Sequence, residues 1–178
     1  MDRPPVQDQL IALIPRLRRF ARALTPSQEE AEDLVQDALE RALSRLDQWQ
    51  KGTRLDSWMY RIIQTVRRSQ ARSPDKRRRG EMPPEEQIAG VDGVREAESR
   101  LLLRDVRRAF EKLPDDQRAV LILVCVDGLA YREAAEVLDI PIGTVMSRLA
   151  RARLELHRLV GEVGGEPVVL PIKFVQKT

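Results

Sequence analysis

Apolar residues recur at three- and four-residue intervals through most of this chain, a spacing that predicts a succession of helices. Leu10, Leu13, Ile14, Leu17, Phe20, Ala21 and Leu24 form the first stripe, with arginines between them. Pro15 inside that stripe predicts a kink or the true start of the helix. After the break at Thr25-Pro26-Ser27, Ser27 and Glu30 have the spacing of a capping box. The second helix, from 29 to about 46, buries Ala31, Leu34, Val35, Ala38, Leu39, Ala42, Leu43 and Leu46 and exposes Glu32, Asp33, Gln36, Asp37, Glu40 and Arg41. A loop containing Gly52 leads into a third helix over 56–68. From about residue 96 a further helix turns Leu101, Leu102, Val106, Ala109 and Phe110 inward, and Leu113-Pro114 marks a corner. The continuous apolar run 119–126 fits a buried helix or a strand equally well by periodicity.

The most informative stretch is 129–153. A short helix over 131–138 carries Ala134, Ala135 and Leu138 on one side, small enough for a second helix to come close. Asp139-Ile140-Pro141 forms a corner, because Pro141 has no backbone donor. In the helix that follows, Val145, Leu149, Ala152 and Leu156 make the buried stripe, while Thr144, Ser147, Arg148 and Arg151 fall on the other side. Such a face suits a DNA major groove, where Arg grips guanine edges and Ser or Thr reaches bases or phosphates. A helical hairpin with a solvated basic face has the same spacing.

Composition narrows the class. With 178 residues, 42% hydrophobic and 33% charged, the chain has room for one domain or two small ones. The net charge of +3 is modest, but the basic residues are clustered. Cys125, the one cysteine, rules out an internal disulfide or a cysteine metal cluster, and its apolar surroundings predict a buried, inert thiol. No apolar run approaches a membrane span and no signal peptide is present, so the expected location is the cytoplasm. There is no Gly-rich phosphate loop, and His157, the single histidine, has no nucleophile at motif spacing. The chain is expected not to be an enzyme and to need no cofactor or metal.

Trp49, Trp58 and Tyr60 lie among Lys51, Arg54, Arg61, Arg67 and Arg68. They can serve as stacking surfaces beside phosphate contacts for single-stranded DNA, or as core anchors, the better reading for Trp58. Residues 67–80 are strongly basic, either a solvated helix end or a phosphate-binding run; residues 81–93 turn acidic with Pro and Gly, predicting a flexible linker. Beyond Leu159, glycines and then a Pro-interrupted apolar segment suggest a tail of no assigned role.

Asp127-Gly128-Leu129-Ala130-Tyr131-Arg132-Glu133-Ala134-Ala135, followed by Ile140 to Leu149 and Arg151-Ala152-Arg153, resembles the C-terminal helix-turn-helix of bacterial extracytoplasmic-function sigma factors. Residues 31–43 are similar to the family segment that docks on the polymerase clamp, and 48–55 to the loop that captures a minus-10 base. The resemblance spans roughly residues 8–160 and, with the helical neighbours, decides for helix over 119–126, ending at Gly128. It implies minus-35 contacts by Thr144, Met146, Ser147, Arg148 and Arg151. It implies minus-10 contacts by Trp49, Lys51, Gly52, Thr53, Arg54, Arg61, Thr65 and Arg68. Asp33, Leu34, Gln36 and Asp37 would meet core RNA polymerase. The chain departs from the family in places: Thr65 stands where Asn is usual, Ser69 where an acidic residue is usual and Met146 where Lys or Arg is frequent, and Ala150 offers no large side chain.

The expectation is therefore an all-α protein of two small helical domains on a flexible linker: domain two over 8–73, linker 74–95, domain four with its helix-turn-helix over 96–160, and a tail over 161–178. It would act as an alternative sigma factor with core RNA polymerase and promoter DNA as partners, and an anti-sigma factor as regulator. The rivals are a sigma-like decoy that binds an anti-sigma factor without opening promoters, and a sigma-independent helix-turn-helix regulator.

Overall fold

The protein, here a computed structural model, is described over residues 5–50, 52–72 and 104–164. Among these residues every regular element is a helix. α1 (Val6–Leu24), α2 (Gln28–Leu43) and α3 (Leu55–Arg72) pack together as an amino-terminal unit. Helical residues 104–111 (α4), α5 (Asp115–Leu121), α6 (Tyr131–Leu138) and α7 (Ile142–Gly164) make a carboxy-terminal one. Lys51, the linker predicted over 74–95, Leu101, Leu102 and the tail beyond 164 lie outside the described residues.

The predicted stripes are the core. Leu17, Phe20 and Ala21 of α1, Leu34 and Ala38 of α2, and Met59, Tyr60 and Ile63 of α3 are all fully buried. Phe20 and Tyr60 meet edge to face with ring centroids 4.9 Å apart, the arrangement that puts a positive ring edge against a negative face. Ser27 caps α2 as its spacing predicts, its Oγ accepting from Glu30 N–H at 3.1 Å.

Four expectations need correction. α1 does not begin at Pro15 but runs through it from Val6. Leu10 before the proline and Leu17 after it are both buried, and that anchoring offsets the roughly 3 kcal/mol an interior proline costs. α2 ends at Leu43, three residues early. Arg45 N–H turns back to Ala42 O at 3.1 Å as the helix ends; Leu43 is 53% exposed rather than buried, and Leu46 is half-buried in a separate 3-10 turn (Leu46–Gln48). α7 continues past 160 to Gly164. Cys125 is half-buried rather than buried, 3.6 Å from an Arg153 Nη2.

The apolar run 119–126 is helical and widens after Leu121 into a π-helical turn over Ile122–Val126. Asp127 N–H reaches Ile122 O at 2.9 Å, and Gly128 takes φ +70°, a conformation that suits glycine. This turn matters because single π turns re-aim the residues that follow them. Asp127 is aimed away from its own unit, at α1 and α3. α1 packs on α5 and the π turn, and α3 packs on α6, so the two units lie against one another.

Candidate nucleic-acid interface

α6 and α7 are joined by Asp139, the one non-glycine residue among those described with positive φ (54°), a cap conformation that Asp tolerates better than most. Ile140 N–H bonds Ala135 O at 3.1 Å, and Pro141 O accepts from Thr144 N–H at 2.8 Å as α7 begins. Glu133 reaches back to Ala130 N–H at 2.7 Å and so closes the first turn of α6. Ala134, Ala135 and Leu138 are buried against Val145, Leu149 and Ala152, as their spacing predicts. α7 is thus fixed in rotation, and its outward stripe is Met146, Ser147, Ala150, Arg151 and Leu154, all exposed.

Within that stripe Arg151 lies back along the helix, its Nε 3.3 Å from Ser147 O. Thr144 and Arg148 are half-buried at the edge of the stripe. Arg148 Nε pairs with Asp116 Oδ2 of α5 at 2.9 Å, so Arg148 is anchored to its own unit while Arg151 is directed outward.

The second group of predicted DNA residues lies on the loop before α3 and on α3 itself. Gly52 has φ +101° with open space around its missing Cβ, so backbone conformation rather than crowding calls for glycine. Thr53 Oγ1 donates to Gln50 O at 2.8 Å and holds the loop. Trp49 is half-buried on the core with its Nε1 buried and without a hydrogen-bond partner. Tyr60, rather than Trp58, is the fully buried anchor; Trp58 is half-buried. Arg61 and Thr65 are exposed one turn apart, with Thr65 Oγ1 bonded to Arg61 O at 2.8 Å.

Arg54 and Arg68 are engaged. Arg54 forms a fork on Asp56 (3.1 and 2.8 Å) and reaches Glu133 of α6 at 3.0 Å. The hydrogen bond to Asp56 is the chief reason its guanidinium is held above the ordinary arginine range, against an opposing effect of burial. Burial alone pushes the Asp56 carboxyl up, but Arg54, Ser57 N–H and Arg16 together hold it below the usual carboxylate value. Arg68 donates to Asp139 Oδ2 at 3.0 Å and to Leu138 O at 2.7 Å.

On α2, Asp33, Gln36 and Asp37 are exposed; Gln36 bonds Glu40, and Asp37 accepts from Gln70 of α3 at 2.8 Å. Leu34 is fully buried and belongs to the helical core, so it offers no side-chain surface to a partner in this fold. The stripe that packs α2 on α1 and α3 includes position 34, and a helix cannot present it on both sides.

The sequence-based reading gave no role to Asp127, Arg16 or Arg19. Asp127 has a fully buried side chain; Tyr60 Oη donates to its Oδ2 at 2.7 Å, and Arg16 and Arg19 donate to its Oδ1. The signal available was a lone acid placed directly after eight apolar residues. Among the described residues no group of three His, Cys, Asp or Glu side chains could hold a metal ion.

Comparison with known proteins finds relatives of both units. Residues 10–64 match the family described as the Sigma2 domain of PhyR, and residues 103–156 match Sigma-70, region 4. The chain is 36% identical to the ECF RNA polymerase sigma factor EcfG of Rhodopseudomonas palustris, over 90% of this chain and 88% of that one. It is 32% identical to the ECF sigma factor SigW of Bacillus subtilis, over 72% of this chain and 74% of that one. Among solved structures it resembles the sigma factor RpoE of Bartonella quintana, determined with the anti-sigma factor NepR: TM-score 0.70, 31% identity, 87% of this chain and 96% of that one covered. A helix-turn-helix with a fixed outward stripe, a three-helix amino-terminal unit and relatives of this length and identity lead to one family: the chain belongs to the extracytoplasmic-function RNA polymerase sigma factors.

Proposed function

We propose that this alternative sigma factor uses three separate surfaces to start transcription. Asp33, Gln36 and Asp37 on α2 face core RNA polymerase. The loop over 48–55 and the α3 residues Arg61, Thr65 and Arg68 meet the minus-10 element. Met146, Ser147 and Arg151 enter the minus-35 groove, with Thr144 and Arg148 at its edge. Residues 8–73 and 96–160 are then the two working domains, 74–95 the connection, and 161–178 a tail without a role in this scheme. The observation that carries the reading is the rotation of α7, fixed by Val145, Leu149 and Ala152 so that its hydroxyl and arginine side chains project from the protein. The polymerase makes the bonds, so this role asks for no catalytic group or cofactor from the chain. It places the chain with polymerase and DNA in the cytoplasm; no described helix is long and apolar enough to cross a membrane.

An anti-sigma factor is the proposed regulator, by likeness to the Bartonella RpoE that was solved with one. Transcription in vitro with purified core polymerase on a promoter library tests the whole scheme: initiation above core alone, at sites sharing two short elements, is expected. A second reading has one observation in its favour, the match of residues 10–64 to the Sigma2 domain of PhyR, which in Bartonella quintana is an anti-anti-sigma factor solved with its anti-sigma factor NepR. In that reading the chain captures an anti-sigma factor and the library yields no transcripts.

A further inference from the structure

α7 carries apolar side chains on both of its sides. Val145, Leu149 and Ala152 are buried, and they set the rotation of the helix. Ile142, Met146 and Ala150 follow one another at four-residue intervals on the outward side, where Ile142 and Met146 stay 47% and 52% exposed. Single exposed apolar residues are ordinary, but a line of them along one helix is a surface. Beside it runs a second line, Ser147 and Arg151, also one turn apart and exposed. Arg151 meets a backbone oxygen, Ser147 O, and no carboxylate among the described residues. A purely apolar partner laid over this face would strip water from the guanidinium without returning a counter-charge. A DNA major groove returns phosphates and guanine edges to the arginine, and there one base, thymine, presents a methyl group. The thioether of Met146 offers that methyl a soft, adaptable contact and makes no strong hydrogen bond to a base edge. Ala150, one turn on, is small enough to let the base come close.

We propose that Met146 reads the 5-methyl group of a thymine in the minus-35 element, with Ile142 and Ala150 completing the apolar contact around it. The inference rests on the sigma-factor reading for placing α7 in that groove, and adds which chemical group selects the base. Met146 and Arg151 are five residues apart, roughly 7.5 Å along the helix axis. Base pairs stack about 3.4 Å apart, so the thymine lies within about two base pairs of the pair that Arg151 contacts.

The test uses core polymerase assembled with the full chain and a promoter pool randomised across minus-35. Each thymine of the selected element, on either strand, is replaced in turn by deoxyuridine, which removes the 5-methyl group and leaves the base pair intact. A loss of about three- to four-fold in affinity, the size of one buried methyl, is expected at one thymine, within about two base pairs of the pair whose preference Arg151→Ala relaxes. Met146→Ala should bind the thymine promoter more weakly and show no further loss with deoxyuridine there, because both changes delete one contact. A selected element without thymine in that reach, methyl removal that costs nothing, or a loss confined to a thymine farther away overturns the proposal. So does a loss that persists in Met146→Ala. Sedimentation of the chain without DNA is a further arm: self-association abolished by Met146→Ala would give the apolar line to a second copy and overturn the methyl contact. Transcription from the same promoters judges the sigma-factor reading separately. Initiation without a methyl effect keeps that reading and sinks this one. A chain that gives no transcripts sinks the sigma-factor reading, and the methyl contact is then judged by the same substitutions in duplexes selected by the full chain alone.

Discussion

Residues one turn apart on α2 differ in exposure, and substitutions should separate packing from the proposed polymerase contact. Leu34 is fully buried while Asp37, one turn on, is exposed. Leu34→Ala should cost about 2–5 kcal/mol of stability through the cavity it leaves. Asp37→Arg should cost about half a kcal/mol or less, since it gives up a single exposed hydrogen bond from Gln70. Core polymerase binding should respond in reverse order once folded protein is compared: thermal melts and a polymerase pull-down on the same samples decide it. Asp56 supplies a pH prediction. Its folded carboxyl is held below the ordinary value, so its pairing with Arg54 and Arg16 contributes stability above the unfolded value near pH 4 and is lost as pH falls through the folded one. Asp56→Asn should lower stability at neutral pH and flatten the loss seen in acid melts below about pH 4. Equal slopes for both proteins would mean the carboxylate is not carrying that loss.

For whole elements, the helix-turn-helix was legible because its information is local. Val145, Leu149, Ala152 and Leu156 are all buried, and α6 spans 131–138 as their spacing and Pro141 predict. Helix ends were less legible: the early stop of α2 and the passage of α1 through Pro15 depend on packing across the unit, which local spacing does not encode. Latest to emerge was Asp127, whose partners Arg16 and Arg19 lie 111 and 108 positions away. A sequence read in windows meets that acid alone. α7 itself carries a prediction about its two arginines. Arg151, outward and free of any carboxylate in its bond to Ser147 O, should read a base: Arg151→Ala should cost about 1–3 kcal/mol and relax preference at one base pair. Arg148, tethered to Asp116, should act on phosphate, its alanine variant weakening all sequences alike and lowering the salt slope by about one. Minus-35 duplex titrations with the full chain over a salt series, against single-base substitutions, separate the two patterns. Base-specific loss at Arg148 and uniform loss at Arg151 would reverse the assignment.

At the scale of the molecule, two units that the sequence predicts as independent lie against each other through α1, α3, α5 and α6. Buried apolar residues of both units join in one hydrophobic cluster, and polar pairs add to it: carboxylates of one unit on arginines of the other, with Arg118 also donating to Ala23 O at the end of α1 at 3.1 Å. Such an interface is weakened by salt at its exposed pairs and holds at its buried centre. The proposed role requires that this chain open promoters rather than merely bind them. Permanganate footprinting of holoenzyme on a promoter recovered from the transcription library tests that most directly, because it marks unpaired thymines. Reactive thymines are expected around minus-10 with core polymerase and chain together and none with either alone. A promoter that is bound by the complex yet stays unreactive across that region would contradict it.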